Sequence, residues 1–175
     1  MSKMYVTHDL LVDLAKNLLK AGGLNSENAL IIANDLVAAN LRGLDSHGIS
    51  RIPMYLERIR RGVVTPNPDI TFTQQTSAVG LVDGDNGMGF LAGHRAMDEA
   101  IKLAEKSGIG MVGVRNSTHY GMAALYVLQA IDKGFISMAY TNSSPALPVY
   151  GGRNAFLGAS PLQLDFLQEM KLLMY

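Results

Sequence analysis

Residues 79–114 read VGLVDGDNGMGFLAGHRAMDEAIKLAEKSGIGMVGV, and this stretch decides the fold class. Val79 to Val82 is a short β-prone run that ends in Asp83-Gly84-Asp85-Asn86-Gly87, a segment dense in turn residues. From about Phe90 to Lys106 the apolar residues recur at helical spacing, and Gly108 follows as a stop. Ile109 to Val114 returns to a β-prone run. Two strands separated by a helix of this length need a crossover connection, which implies at least partly parallel pairing.

Working outward, the pattern repeats downstream. A helix is expected from about Gly121 to Lys133, with Gly134 after it, and a strand from Phe135 to Thr141. The order β-α-β-α-β places the chain in the mixed α/β class, built in layers. Upstream, Ile70 to Thr73 is a further strand, tightly joined to the Val79 run. Before it, Thr65-Pro66-Asn67-Pro68 favours an extended connection, because each proline biases its predecessor out of the α region. That connection separates a helical segment, 1–64, from an α/β portion, 65–162, with an atypical tail at 163–175.

The helical segment reads as three helices. Leu10, Leu11, Leu14, Ala15, Leu18 and Leu19 form the apolar stripe of the first, capped at Thr7 and stopped by Gly22-Gly23. The second starts on Ser26 as N-cap and runs to Gly43. The third runs from about Gly48 or Ile49 to Arg60, with Pro53 tolerable only within its first turn, where no N–H is needed.

Composition bounds the function classes. The 175 residues are 48% hydrophobic and 17% charged, enough to bury a real core. Lys+Arg and Asp+Glu both number 15, so no net field recruits nucleic acid or an anionic membrane surface. The absence of cysteine removes disulfides and thiolate metal sites and fits a reducing compartment, so the expected location is the cytoplasm. Residues 1–20 carry no signal-peptide pattern, and no stretch has the apolar length of a spanning helix.

Three segments carry polar groups suited to chemistry. In the first, Ser46-His47-Gly48 through Arg51 and Tyr55, helical spacing puts Arg51 and Tyr55 on one face with His47 at its entry. Arg51 could pair two N–H donors with a carboxylate, and Ser46 could hold one nitrogen of His47 and leave the other for proton transfer. Spacing alone leaves a plainer reading open, in which Ser46 caps the helix and His47 is a solvated loop residue. The second, Asn116 to Gly121, lies between a strand and the next helix, where open α/β sheets bind ligands. His119 there suits proton exchange with a substrate hydroxyl, while Ser117 or Thr118 as a helix cap is the alternative. The third, Thr141-Asn142-Ser143-Ser144-Pro145 with Gly151-Gly152 and Gly158-Ala159-Ser160-Pro161, could line a pocket, although turn chemistry also accounts for it. Gly84, Gly87 and Gly89 do not have the G-x-G-x-x-G spacing, no Walker-type loop occurs, and the four histidines lack zinc-ligand spacing, so no metal is expected.

The string Arg42-Gly43-Leu44-Asp45-Ser46-His47-Gly48-Ile49-Ser50-Arg51, with Tyr55, Arg58-Ile59 and Gly62 behind it, resembles the malate/L-lactate dehydrogenase family of the non-Rossmann type. Val82-Asp83-Gly84 to Gly87, Val114 to Gly121, Thr141-Asn142-Ser143, Gly151-Gly152 and Gly158 to Leu162 follow in the family's order. The resemblance implies hydride exchange between NAD or NADP and a small 2-hydroxyacid, 2-oxoacid or cyclic imino acid, in a homodimer whose cofactor site lacks the Rossmann glycine fingerprint. Position by position, Ser46 and His47 match a pair given acid/base roles, Arg51 matches the carboxylate clamp with Tyr55 beside it, and His119 matches the catalytic histidine proposed in some members. The expected proton donor is His47, relayed by Ser46, with His119 second. His119, Tyr120, Gly121 and Ser143 are expected to line the cofactor.

After Leu162 the motifs give out, and Gln163 to Tyr175, QLDFLQEMKLLMY, replaces the apolar strand and glycine/proline turn of the family. A premature stop or frameshift in the last thirteen residues is one expectation; a short form with a C-terminal amphipathic helix is the other. Correspondingly, the chain is an oxidoreductase or, alternatively, a truncated, inactive fragment that serves at most as a binding or oligomerisation module.

Overall fold

The computed structural model describes residues 5–166. Helix α1, His8–Ala21, follows Thr7, which occupies the N-cap position without a side-chain hydrogen bond. Its buried stripe is Val12, Ala15 and Leu19, the i, i+3, i+7 seam that one neighbouring helix can cover. Leu10, Leu14 and Leu18, expected in that stripe, lie on the adjoining face and are 59%, 50% and 41% exposed. Helix α2, Ser26–Leu41, is capped by Asn25 rather than by Ser26, because the Asn25 side chain accepts the Asn28 N–H at 2.8 Å. Asn67, in the proline-rich connection, accepts the Asn25 N–H at 2.8 Å and donates to the Gly23 carbonyl at 2.9 Å, so the connection fastens the α1–α2 corner.

The third helix starts later than its spacing suggested. Two 3-10 turns, Asp45–His47 and Ile49–Arg51, precede helix α3, Ile52–Arg60, which has Pro53 in its first turn. An isolated strand bridge then leads to β1, Thr71–Gln74, which pairs antiparallel with β2, Val79–Gly87, in the register Phe72↔Val82. Strand β2 continues through the expected turn: Asp85 and Asn86 take φ of 46° and 52°, and the register shifts between Asp83 and Gly87. The turn residues thus mark left-handed backbone inside an irregular strand rather than the strand's end. Helix α4, Gly89–Ser107, crosses back to β3, Met111–Ser117, which pairs parallel with β2 in the register Val82↔Val114. The sheet order is β1-β2-β3, with Val82 packed on Ala92 and Ala96 of α4.

The chain divides into two compact units, one ending at Met122 and one beginning at Ala123. In the first, Leu19, Ile32, Leu36, Val37, Val82, Met88 and Phe90 are among the fully buried side chains. The described residues of the second form α5, Ala124–Ile131, and the short strands β4 (Ser137–Tyr140), β5 (Leu147–Pro148), β6 (Ala155–Leu157) and β7 (Leu162–Asp165). The alternation of strand and helix is present in chain order, but among the described strands only β2 and β3 pair in parallel, beside the isolated parallel bridge between Thr65 and Gly87. Strand β4 pairs antiparallel with β7, and β5 with β6. Gln163, Leu164 and Asp165 of the atypical tail therefore belong to a strand; residues 167–175, where a helix was one expectation, lie outside the described residues. Among the described residues no helix is long and apolar enough to cross a membrane.

Candidate active site

The site is built within the first unit from two separated segments. The turn Asp45–Arg51 is set by Asn40 on α2: its amide donates to Asp45 Oδ1 at 2.6 Å and its carbonyl oxygen accepts the Ile49 N–H at 2.9 Å. A Cβ on Gly48 would stand 2.2 Å from Asn40 Oδ1, so only glycine admits this side chain. Ser50 adds a bond from its hydroxyl to the Asp45 carbonyl at 2.7 Å. The turn is thereby closed before helix α3 begins.

This closure places Ser46 and His47 as the spacing suggested, with Ser46 Oγ 3.0 Å from His47 Nδ1. Arg51 donates from Nε to the Ser46 carbonyl, which leaves its two Nη groups, the end-on pair of the guanidinium fork, without a hydrogen bond among the described residues. Burial lowers the His47 pKa below 6.5, and the nearby Arg51 charge lowers it further.

The second segment follows β3. Asn116 takes a left-handed φ of 48° and donates to both oxygens of Asp83, at 3.0 and 3.1 Å, while Arg115 Nε reaches Asp83 at 2.9 Å. The Asp83 carboxyl is held below its usual range, first by the Asp85 N–H and then by Asn116. Thr118 donates from N–H and hydroxyl to the Gly87 carbonyl, at 3.2 and 3.0 Å, and the Gly89 N–H donates to the His119 carbonyl at 3.1 Å. The loop is thus laced to the start of α4. Gly121, at φ +74°, turns the chain where a Cβ would stand 2.3 Å from the Phe90 ring.

These two segments meet at His119. Tyr55, only 4% exposed, projects from α3 so that its hydroxyl lies 2.9 Å from His119 Nδ1, and the Gly121 N–H donates to the same nitrogen at 3.3 Å. The His47 and His119 ring centroids are 5.7 Å apart, and Phe90 stands edge-on to both Tyr55 and His119, at 5.9 and 6.4 Å. Burial, followed by the charges of Arg51, His47 and Arg58, brings the His119 pKa down to about 4. Burial likewise pushes the Tyr55 phenol up to about 12 against the opposing pull of Arg51 and Arg58. The charges acting on the three rings are therefore cationic, Arg51 foremost, and both imidazoles are neutral at pH 7.

Of the expected residues, Ser46, His47, Arg51, Tyr55 and His119 come together, and Tyr120 and Gly121 adjoin His119. Gly121 is filled on its Cβ side by Phe90. Ser143 belongs to the second unit, where its hydroxyl accepts the Ala159 N–H at 2.7 Å. Asn40 and Phe90 were not singled out from the sequence. The glycine at 48 is the signal that could have pointed to Asn40; Phe90 gives none, because a buried phenylalanine is ordinary core. Among the described residues no three His, Asp or Glu side chains gather as a metal site.

The family model for malate/L-lactate dehydrogenase matches residues 6–166, running past Leu162, where the sequence motifs give out. The chain is 38% identical over 157 residues to the L-sulfolactate dehydrogenase of Methanocaldococcus jannaschii, covering 90% of this chain and 44% of that protein. It is 33% identical over 159 residues to the ureidoglycolate dehydrogenase (NAD(+)) of Escherichia coli, covering 91% and 46%. The solved structure of malate dehydrogenase from Pyrococcus horikoshii superposes with a TM-score of 0.84 at 39% identity, over 93% of this chain and 49% of that one. The chain thus spans about half the length of the relatives it matches. With a match over nearly all of its own residues and the same backbone course as a solved relative, the chain belongs to the malate/L-lactate dehydrogenase family.

Proposed function

We propose that this chain carries the substrate and proton-handling part of an oxidoreductase that moves a hydride between NAD or NADP and the α carbon of a small 2-hydroxyacid or 2-oxoacid. The observation that carries the reading is the convergence of a guanidinium with free end-on donors, Arg51, on two neutral imidazoles, His47 and His119, whose rings stand 5.7 Å apart. Arg51 binds the substrate carboxylate through its Nη pair, which fixes the α carbon and its oxygen beside the rings. His47 exchanges the proton with that oxygen. Its Nδ1 faces the exposed Ser46 hydroxyl, a group that both donates and accepts, so His47 can present either a protonated or a bare Nε2 and serve reduction and oxidation alike.

The donor set fits a separate hydride carrier. An imidazole for the proton and a cation for the carboxylate stand together, and the charges that act on them are positive, which suits an anionic oxoacid. The nicotinamide, when bound, supplies the hydride; the residues that would border it are those beside His119, namely Tyr120 and Gly121. On the same reading the enzyme works as a homodimer in the cytoplasm, with no nucleic acid or membrane partner, in keeping with its balanced charge and lack of cysteine.

The test is a panel of 2-oxoacids with NADH and NADPH, followed by nicotinamide absorbance, on the wild-type chain and His47→Ala. Turnover with at least one oxoacid, reduced by about 10² to 10⁴ in the variant, is the expected result. Turnover that survives in the variant within tenfold, or no turnover with any pair, overturns the reading.

A further inference from the structure

We propose that Tyr55 is a positioning residue that acts with the Gly121 N–H to hold His119 protonated at Nε2, so that His119 offers the substrate oxygen a hydrogen bond while the proton itself travels through His47 and Ser46. This rests on the function proposed above and divides the labour between its two histidines.

Of the two groups that face His119 Nδ1, one has no choice of role. A hydroxyl rotates to donate or accept, but a backbone N–H only donates. Because the Gly121 N–H points at His119 Nδ1, 3.3 Å away, that nitrogen must be the bare one, and the neutral ring carries its hydrogen on Nε2. The Tyr55 hydroxyl, 2.9 Å from the same Nδ1, then acts as a second donor. Neither partner is free to turn away. Tyr55 is buried against the edge of Phe90, and Gly121 holds its left-handed φ with the Phe90 ring filling the space where a Cβ would lie.

The same geometry makes His119 a poor proton carrier. Releasing the Nε2 proton to substrate would leave an imidazolate unless Nδ1 were filled from Tyr55, whose phenol is held protonated up to about 12. Adding a proton at Nδ1 would set two N–H groups head to head, in a setting where burial and Arg51 already resist the imidazolium. His47 is free of both constraints, since its Nδ1 faces only the adaptable Ser46 hydroxyl at 3.0 Å. One ring is fixed as a donor, and the other can switch.

The experiment is ring-¹⁵N spectroscopy of the histidines in the full chain, with no cofactor or substrate present, so that its outcome is independent of turnover. His119→Gln and His47→Gln assign the signals. At pH 7 His119 should show a protonated Nε2 and a bare Nδ1, whereas His47 should show averaging over both tautomers. Tyr55→Phe should raise the Nδ1–H population of His119 and move its titration midpoint upward by about half to one pH unit, the effect of one lost donor. Incorporating 3-fluorotyrosine, which leaves the ring in place and strengthens the phenol as a donor, should shift the His119 Nδ1 resonance and keeps the test open if Tyr55→Phe does not fold. A His119 ring protonated at Nδ1 at pH 7 overturns the proposal. So does a Tyr55→Phe chain, or a fluorotyrosine chain, whose His119 tautomer and titration are unchanged. A correct tautomer beside a failed oxoacid panel would overturn the function and leave the lock standing.

Discussion

Replacing Gly121 with alanine probes the joint on which the site depends. Two costs can be separated. Residue 121 sits at φ +74°, which an L side chain adopts at a cost of about 1–2 kcal/mol. In addition, the new Cβ would lie 2.3 Å from Phe90 Cε1 and 2.8 Å from Cζ, and Phe90 is fully buried. Forcing such a ring to move in a packed core costs about 1–3 kcal/mol, giving a total of about 2–5 kcal/mol. Gly62 supplies the control, since it has φ +69° in the same unit and nothing within 4 Å of its would-be Cβ. Gly62→Ala should therefore lose only the backbone part, about 1–2 kcal/mol. Urea denaturation of both variants, followed by fluorescence and circular dichroism, gives the difference, and the entropy that the unfolded chain loses on replacing glycine cancels between them. If Gly121→Ala proves no less stable than Gly62→Ala, Phe90 does not buttress the His119 loop and the reasoning fails.

Three further outcomes are expected. Asn40→Ala removes the bonds to Asp45 and Ile49 and should cost about 1–3 kcal/mol, with the His47 ring signal displaced; an unmoved His47 signal would show that Asn40 does not set the turn. Arg51→Lys should weaken binding of a 2-oxoacid about tenfold or more, because a point charge cannot reproduce the fork, and calorimetry showing equal affinity would remove the clamp. His119, depressed to about 4 in the fold against 6.5 when unfolded, binds its proton more readily in the unfolded chain. Its contribution to stability is fully present above pH 6.5 and is lost between pH 6.5 and 4, so that denaturation midpoints should fall across that window and fall less in His119→Gln.

The local part of the site was legible in the sequence. The bond from Ser46 to His47 is a contact between neighbours, and the loop of His119 lies just beyond the carboxyl end of β3, where the position of a loop after a strand placed it. Spacing put Tyr55 on one helix face with Arg51, and the resemblance placed it in the substrate site, but its hydroxyl partner, His119, lies 64 residues away, and only the docking of α3 against the β3–α5 loop brings the two together. Asn40 is missed for a different reason: its bonds reach only to Asp45 and Ile49, but they hold a turn that no periodicity describes. The helix errors have a simpler cause. Asn25 and Ser26 are both good caps, and the choice is made by the geometry that turns the Asn25 side chain back onto the Asn28 N–H. In α1 the apolar residues span two faces, and the buried one is that of Val12, Ala15 and Leu19, with Val12 absent from the expected stripe. The strand expected over Phe135–Thr141 is observed at Ser137–Tyr140, yet its antiparallel partner, Leu162–Asp165, lies beyond its first residue in the tail that looked foreign to the pattern.

The central claim is that Arg51, His47 and His119 form one binding site for the carboxylate and oxygen of a 2-oxoacid. The most direct measurement is a titration of the ring-labelled chain with tartronate, a small non-reacting 2-hydroxy dicarboxylate, followed by the histidine ¹⁵N signals. His47 and His119 should shift together along one saturable curve that His8 and His94 do not follow, and Arg51→Met should abolish the response. Rings that remain unmoved at saturating tartronate, or a response that survives loss of the guanidinium, would contradict the claim.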